Sequence, residues 1–353
     1  GHPVHCTMEA GLAFSCTPEQ LQAVSALVQD AAVAASVCSS VDVGGLGVTT
    51  AVLQWLVQQV QLQQQNTQEL AHGLNTQFVL ASAYQVFVMQ AGFALYCSGV
   101  VRSKNVSMVL LKNFTDTSIA CICFWLIGYG FAFGNREPSN GFIGNWDFAL
   151  SQTEKNNPPN FEFWIWNWAF AAAATTILSG SIAERATFHS YIIYSITMTT
   201  WVYPVVVHWM WSPNGWLSPR NPNSILGSGA IDFSGSGVIH MVGGFASLMA
   251  SRITGARTGR FDPGMTATIF RGNANAHLYV LGTFLLWFGW YGFNPGSWLG
   301  ISSFTNSVGT ARTAVCTTLS GGAGALASLF LSFYRFQTWD LLQVCTGAIA
   351  GLV

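Results

Sequence analysis

The sequence predicts an all-α polytopic membrane protein, and three observations carry that prediction. The first is composition: of 353 residues, 51% are hydrophobic and 14% aromatic, while only 8% are charged. A typical soluble domain has about 25% charged residues, and a soluble chain of this size could not cover its surface with so few. The second is the recurrence, from Thr76 onward, of apolar runs of about twenty residues, each long enough to cross a hydrocarbon core of about 30 Å. The third is an uneven distribution of Lys and Arg between those runs.

The runs fall at roughly 76–99, 107–133, 161–183, 189–210, 233–251, 277–297 and 313–334, with another beginning near 340. That gives about seven complete spans and part of an eighth. If the N-terminus is outside, nine basic residues belong to the inner side: Arg102, Lys104, Lys112, Arg185, Arg252, Arg257, Arg260, Arg271 and Arg335. Arg136, Lys155, Arg220 and Arg312 are left outside, and no Lys or Arg precedes the first span. This bias predicts an extracellular N-terminus. Two domains follow: an N-terminal extracellular region, 1–75, and a membrane domain, 76–353. In the first, Leu21 to Cys38 and Thr49 to Gln65 have helical composition, and Cys6, Cys16 and Cys38 are candidates for a disulfide if the region is extracellular. No charged n-region and apolar run mark a signal peptide. The chain begins with Gly and stops inside the apolar run GAIAGLV, so it reads as a C-terminally truncated fragment.

The stretch Gly227 to Ser251, GSGAIDFSGSGVIHMVGGFASLMAS, carries a carboxylate and an imidazole in a segment able to span a bilayer. A charge at that depth costs roughly 2.5–3.5 kcal/mol on insertion scales, so Asp232 asks for a reason. Before Phe-Ser-Gly-Ser-Gly it resembles a helix N-cap, its carboxylate accepting from the amides of Ser234 or Gly235, and this outweighs a role as direct ion ligand. His240, about 12 Å further along a helix, is either a packing residue bonded to a carbonyl or a pore-lining imidazole that exchanges hydrogen bonds with a substrate nitrogen. Three aromatic clusters, FEFWIWNWAF (161–170), Trp201 to Trp216 and FLLWFGWYGF (284–293), sit toward the outer ends of their spans. Interfacial anchoring explains any one of them; together they could form a cage whose faces attract a small, ammonium-like cation by about 0.5–2 kcal/mol. The break Phe293-Asn-Pro-Gly-Ser297 could free carbonyls and a hydroxyl at the outer mouth, where irregular backbone is tolerated if it lines a cavity.

Nothing points to an enzyme. GGLG at 44–47 lacks a following Lys, FSGSG at 233–237 is a broken nucleophile motif, and no HExxH occurs. No cofactor, metal site or nucleic-acid surface is indicated. The sequons at Asn105 and Asn113 fall at the inner end of a span or inside it, so neither should be glycosylated.

The runs FVMQAGFALYCSGVVRSKN (87–105), LSGSIAERATF (178–188), YPVVVHWMWSPNGWLSP (203–219), GAIDFSGSGVIHMVGG (229–244), LGTFLLWFGWYGFNPGS (281–297) and RTAVCTTLSG (312–321) resemble, in order, the ammonium transporter family, the Rhesus-related ammonium/methylammonium permeases, in its plant and algal form. The resemblance implies a plasma-membrane homotrimer of eleven-span subunits, each with its own pore built from two inverted five-helix halves. It implies transport of ammonium or methylammonium, recruited as the cation, deprotonated at a phenyl gate and conducted past two histidines. By motif, Trp211 supplies the outer cation–π face and Ser297 the outer hydrogen bond. Phe293 is the inner ring of the gate, Trp166 occupies the other gate position beside the recruitment site, and Phe170 is its neighbour one turn on. His240 matches the first pore histidine and Asp232 the family's structural aspartate. The second histidine and the closing helices lie beyond the chain. Two alternatives stay open: an ammonium sensor or transceptor, and a Rhesus-type channel for neutral NH3 or CO2.

Overall fold

The computed structural model describes residues 16–28, 30–41, 47–155, 159–261 and 275–353. Among these the chain is helical, with no strand. Its contacts divide it into two units between Gly73 and Leu74. Cys6 and Arg271 lie outside the described residues.

In the first unit, α1 (Pro18–Val28) and α2 (Ala31–Ser40) replace the single helical stretch expected over 21–38. Asp30 causes the break: its carboxylate accepts from the amides of Ala32 and Val33 at 2.8 and 3.1 Å, capping α2. A disulfide joins Cys16 to Cys38, and Val24, Val37, Val41, Ala51 and Val52 form a small buried cluster. Helix α3 (Val48–Val100) runs unbroken for 53 residues. The sequence suggested two separate segments, 49–65 and 76–99. Gln, Leu and Ala between them are good helix formers, and Gly73 alone costs too little to end the helix.

The second unit continues with α4 (Ser103–Phe133), α5 (Phe161–Ser181), α6 (Phe188–Trp211), α7 (Val242–Thr254, entered through the π turn Ser236–Met241), α8 (Ala276–Phe293), α9 (Phe304–Phe336) and α10 (Leu341–Leu352). The seventh predicted span therefore starts nine residues earlier than expected, at Phe304, where Ser303 caps the amide of Asn306 at 3.1 Å. Among the described residues four helices, α3, α4, α6 and α9, are long and apolar enough to cross a membrane by length and composition. The others are shorter or more polar for a physical reason, clearest in α5. From Trp166 to Ser179 nearly every side chain of α5 is buried among its neighbours, so packing, not contact with lipid, sets its composition.

Small residues bring these helices close. A Cβ on Gly99 or Gly282 would meet the partner backbone, at Tyr279 and Tyr96, at 2.7 and 2.4 Å, which locks α3 to α8. Ala171 to Ala174 give α5 a narrow waist. α4 and α6 each contain a π turn, Phe124–Gly128 and Met198–Val202. The two turns touch: a Cβ on Gly128 would stand 2.4 Å from the carbonyl oxygen of Thr199. Large apolar side chains such as Ile193, Phe245, Ile253 and Leu319 remain exposed along the helices, the pattern of a multi-pass protein bathed in lipid.

Candidate functional site

Trp166 and Phe170 lie one turn apart on α5, so helical geometry stacks them on one face. Their ring centroids are 3.9 Å apart and both side chains are buried. Trp211, the last residue of α6, sits 6.4 Å from Trp166 and 6.1 Å from Phe170. Its indole N–H donates to the backbone carbonyl of Asp232 at 2.7 Å, which fixes the ring. Trp166, Trp211, Asp232 and Ser297 line one cavity of about 210 Å³, together with Phe163 and Arg220.

Below this cavity Phe170 and Phe293 stack, with centroids 4.1 Å apart and planes inclined by 30°. The ring against Phe293 is thus Phe170; Trp166, expected from the sequence in that position, lies one turn earlier on α5 and faces the cavity. Pro295 has no amide hydrogen and ends α8, and the chain turns through Pro295–Trp298. The hydroxyl of Ser297 donates to the carbonyl of Phe293 at 2.8 Å, so the carbonyl freed by the break is satisfied and the hydroxyl keeps its lone pairs.

His240 follows on the other side of Phe293, with centroids 5.3 Å apart, and stacks on Trp290 at 5.4 Å and 14°. Its Nε2 is buried without a hydrogen-bond partner among the described residues. His240 borders a second cavity of about 300 Å³, lined also by Phe93, Thr176, Leu286 and Trp290. The π turn Ser236–Met241 carries this imidazole inward; such turns recur at functional sites.

Asp232 holds the start of that turn. Its carboxylate accepts from the amides of Gly235, Gly237 and Val238 at 2.6, 2.9 and 2.8 Å. The sequence suggested Ser234 or Gly235; the cap reaches further because Gly235, at φ 96°, folds the chain back over the carboxylate. A Cβ on Gly237 would stand 2.9 Å from the same carboxylate. Trp290, Phe163 and Arg220 were not singled out in the sequence. Trp290 had a signal, since it precedes Phe293 by one helical turn; Arg220 had none beyond its place in an outer connection.

A second polar cluster stands past the C-terminal end of α5. Glu184, at φ 63°, accepts from the backbone amide and Nε of Arg102 at 3.0 and 3.1 Å and from Asn105, and pairs with Arg257 at 3.1 Å. Burial pushes the Glu184 carboxyl up, but these donors and cations outweigh it and hold it below the usual carboxylate range. Asn113 is buried and donates to the carbonyl of Gln90 at 3.4 Å. Among the described residues, no group of three or more His, Cys, Asp or Glu could hold a metal ion.

Comparison with known proteins fits this arrangement to one family. A family model described as Ammonium Transporter Family matches residues 77–353. "Ammonium transporter 1 member 3" of Solanum lycopersicum is 46% identical over 287 residues, covering 79% of this chain and 61% of the tomato protein. "Ammonium transporter 1 member 2" of Arabidopsis thaliana is 48% identical over 267 residues, covering 72% of this chain and 51% of its own length. The chain thus spans between about half and three fifths of these relatives. Among solved structures, "Sensor Amt Protein" aligns with a TM-score of 0.68 at 30% identity, covering 81% of this chain and 73% of its own. Candida albicans Mep2 aligns at 0.67 and 28% identity, covering 79% and 59%. The chain belongs to the ammonium transporter family.

Proposed function

We propose that this chain forms the outer mouth and the first half of the pore of a plasma-membrane ammonium transporter, with its N-terminus outside. The observation that carries the proposal is the unbroken order of rings from Trp211 through Phe170 and Phe293 to His240, with successive centroids 6.1, 4.1 and 5.3 Å apart. Trp166 and Trp211 offer π faces to a cation and Ser297 an acceptor, so ammonium would be recruited here in preference to harder, more strongly hydrated ions. The stacked pair Phe170–Phe293 closes the way to bulk water, and a proton left outside it need not enter the apolar passage. His240 then meets the substrate nitrogen with a buried ring nitrogen that has no partner among the described residues. Asp232, engaged by three amides, braces the mouth without binding the ion directly. The family's homotrimer and its second pore histidine belong to the same proposal.

The disulfide Cys16–Cys38 supports an extracellular first unit, as does the absence of Lys and Arg through the end of α3. The test is growth: the full-length protein should restore a yeast lacking its own ammonium permeases on low ammonium, and failure of a correctly sorted protein would refute the proposal. A sensor is the second reading, favoured by the alignment with "Sensor Amt Protein". It would require signalling that persists when transport is blocked. The neutral-gas reading is disfavoured by Trp211 and Ser297, which serve a cation better than a gas.

A further inference from the structure

We propose that a cavity at the Glu184 end of the bundle binds a phosphate group, carried by an anionic lipid headgroup or free in solution. The cavity, of about 240 Å³, opens between the start of α4 and the turn into α6 and is lined by Arg102, Lys104, Asn105, Lys112, Glu184 and Tyr191. Three of these are cations and one is a carboxylate, and that carboxylate is already engaged by Arg102, Asn105 and Arg257. The lining is therefore net positive.

Lys112 marks this as more than a solvated basic rim. It sits inside α4, where the sequence counted it among the charges of an inner connection, and its side chain is only 1% exposed. A buried ammonium needs partners. It donates to the hydroxyl of Ser179 and its Nζ stands 5.2 Å from the centroid of the Tyr191 ring, leaving two of its three donor hydrogens for other groups. Among the described residues no carboxylate lies within ion-pair distance of it. Asp116, four residues on, is engaged instead by the hydroxyls of Tyr194, at 2.9 Å, and Ser195. A phosphate oxygen in the cavity would meet Lys112 at its inner end and Lys104 at its rim. A neutral headgroup would bring no negative charge to either lysine. The adjoining surface suits a lipid: Met108 and Leu111, which follow Lys104 at spacings of four and three, are 46% and 50% exposed and would lie along an acyl chain. Basic pockets between membrane helices are recurrent sites for phosphate headgroups.

The test is thermal unfolding of the intact protein in detergent, titrated with phosphatidic acid, phosphatidylcholine or inorganic phosphate. Ligand that binds only the folded state raises the melting temperature with its concentration. Phosphatidic acid should give a saturable rise that phosphatidylcholine does not. Lys104→Gln should weaken it about fivefold and Lys112→Met by at least as much, while Lys155→Gln leaves it unchanged. A rise with inorganic phosphate, or its competition with the lipid, identifies the free anion as an occupant; a response to lipid alone identifies the headgroup. If Lys112→Met does not fold, Lys104→Gln decides. Equal shifts with phosphatidic acid and phosphatidylcholine, no shift with any phosphate, or wild-type affinity in Lys104→Gln would overturn the proposal. None of these readouts requires ammonium transport, so the two proposals fail separately.

Discussion

Helix α5, 21 residues and about 30 Å long, connects two polar regions built on opposite principles. At its start Trp166 faces a cavity whose walls are mostly aromatic, and the nearby carboxylate of Asp232 is held by three backbone amides. Just past its end Glu184 is held by Arg102, Arg257 and Asn105. Backbone amides hold the Asp232 carboxylate without a paired cation, and with Arg220 in the same lining this end is close to neutral, so its aromatic faces rather than its net charge set its preference. Guanidinium groups neutralise fully and add positive charge, so the Glu184 end repels cations. On the two proposals above, one end takes ammonium as an incoming cation and the other an anion.

The largest way to break this contrast is to remove the amide-held carboxylate. Asp232→Ala would leave three amide hydrogens without their acceptor and should cost about 3 kcal/mol, read as a lower melting temperature and less folded protein at the surface. A variant that folds normally yet transports nothing would instead make Asp232 a direct ion ligand. Ser297→Ala probes the mouth more gently. The hydroxyl's own hydrogen is committed to the Phe293 carbonyl, which loses that donor, while the substrate loses only an acceptor, and the half-saturation for ammonium should rise about fivefold, or about 1 kcal/mol. An unchanged value would take Ser297 out of the recruitment site.

Glu184 sharpens the other side through pH. Its folded pKa is depressed, so the stability it confers is present above the unfolded value of about 4.3 and is lost as pH falls through the lower folded value. The wild-type protein should lose stability on acidification below about pH 4.5, and Glu184→Gln should lack that part of the loss. An identical acid profile in the two proteins would place the acid-sensitive groups elsewhere.

The two ends also differ in how far the sequence revealed them. Apolar runs and the Lys/Arg bias made the membrane class legible, and the motifs around Trp211, Phe293, Ser297, Asp232 and His240 pointed to the residues of the proposed mouth, because each rests on local patterning. Whether Trp166 or Phe170 meets Phe293 depends on how α5 and α8 pack, and both are aromatic residues on one helix face. The π turns that bring Gly128 against Thr199 and carry His240 inward have no side-chain signature. Lys112 looked like an interfacial charge because it lies near a span end; its burial comes from Ser179 and Tyr191 on other segments. Helix α3 ran through its expected boundary because helix propensity does not change where hydropathy does.

The central claim is that ammonium enters as a cation across the face of Trp211. Its most direct test is the concentration dependence of ammonium uptake by the full-length protein carrying Trp211→Leu, which removes the π face and the bond to Asp232 while keeping an apolar side chain. Loss of one cation–π contact predicts a half-saturation roughly tenfold higher at undiminished surface expression. A half-saturation equal to wild type would contradict the account.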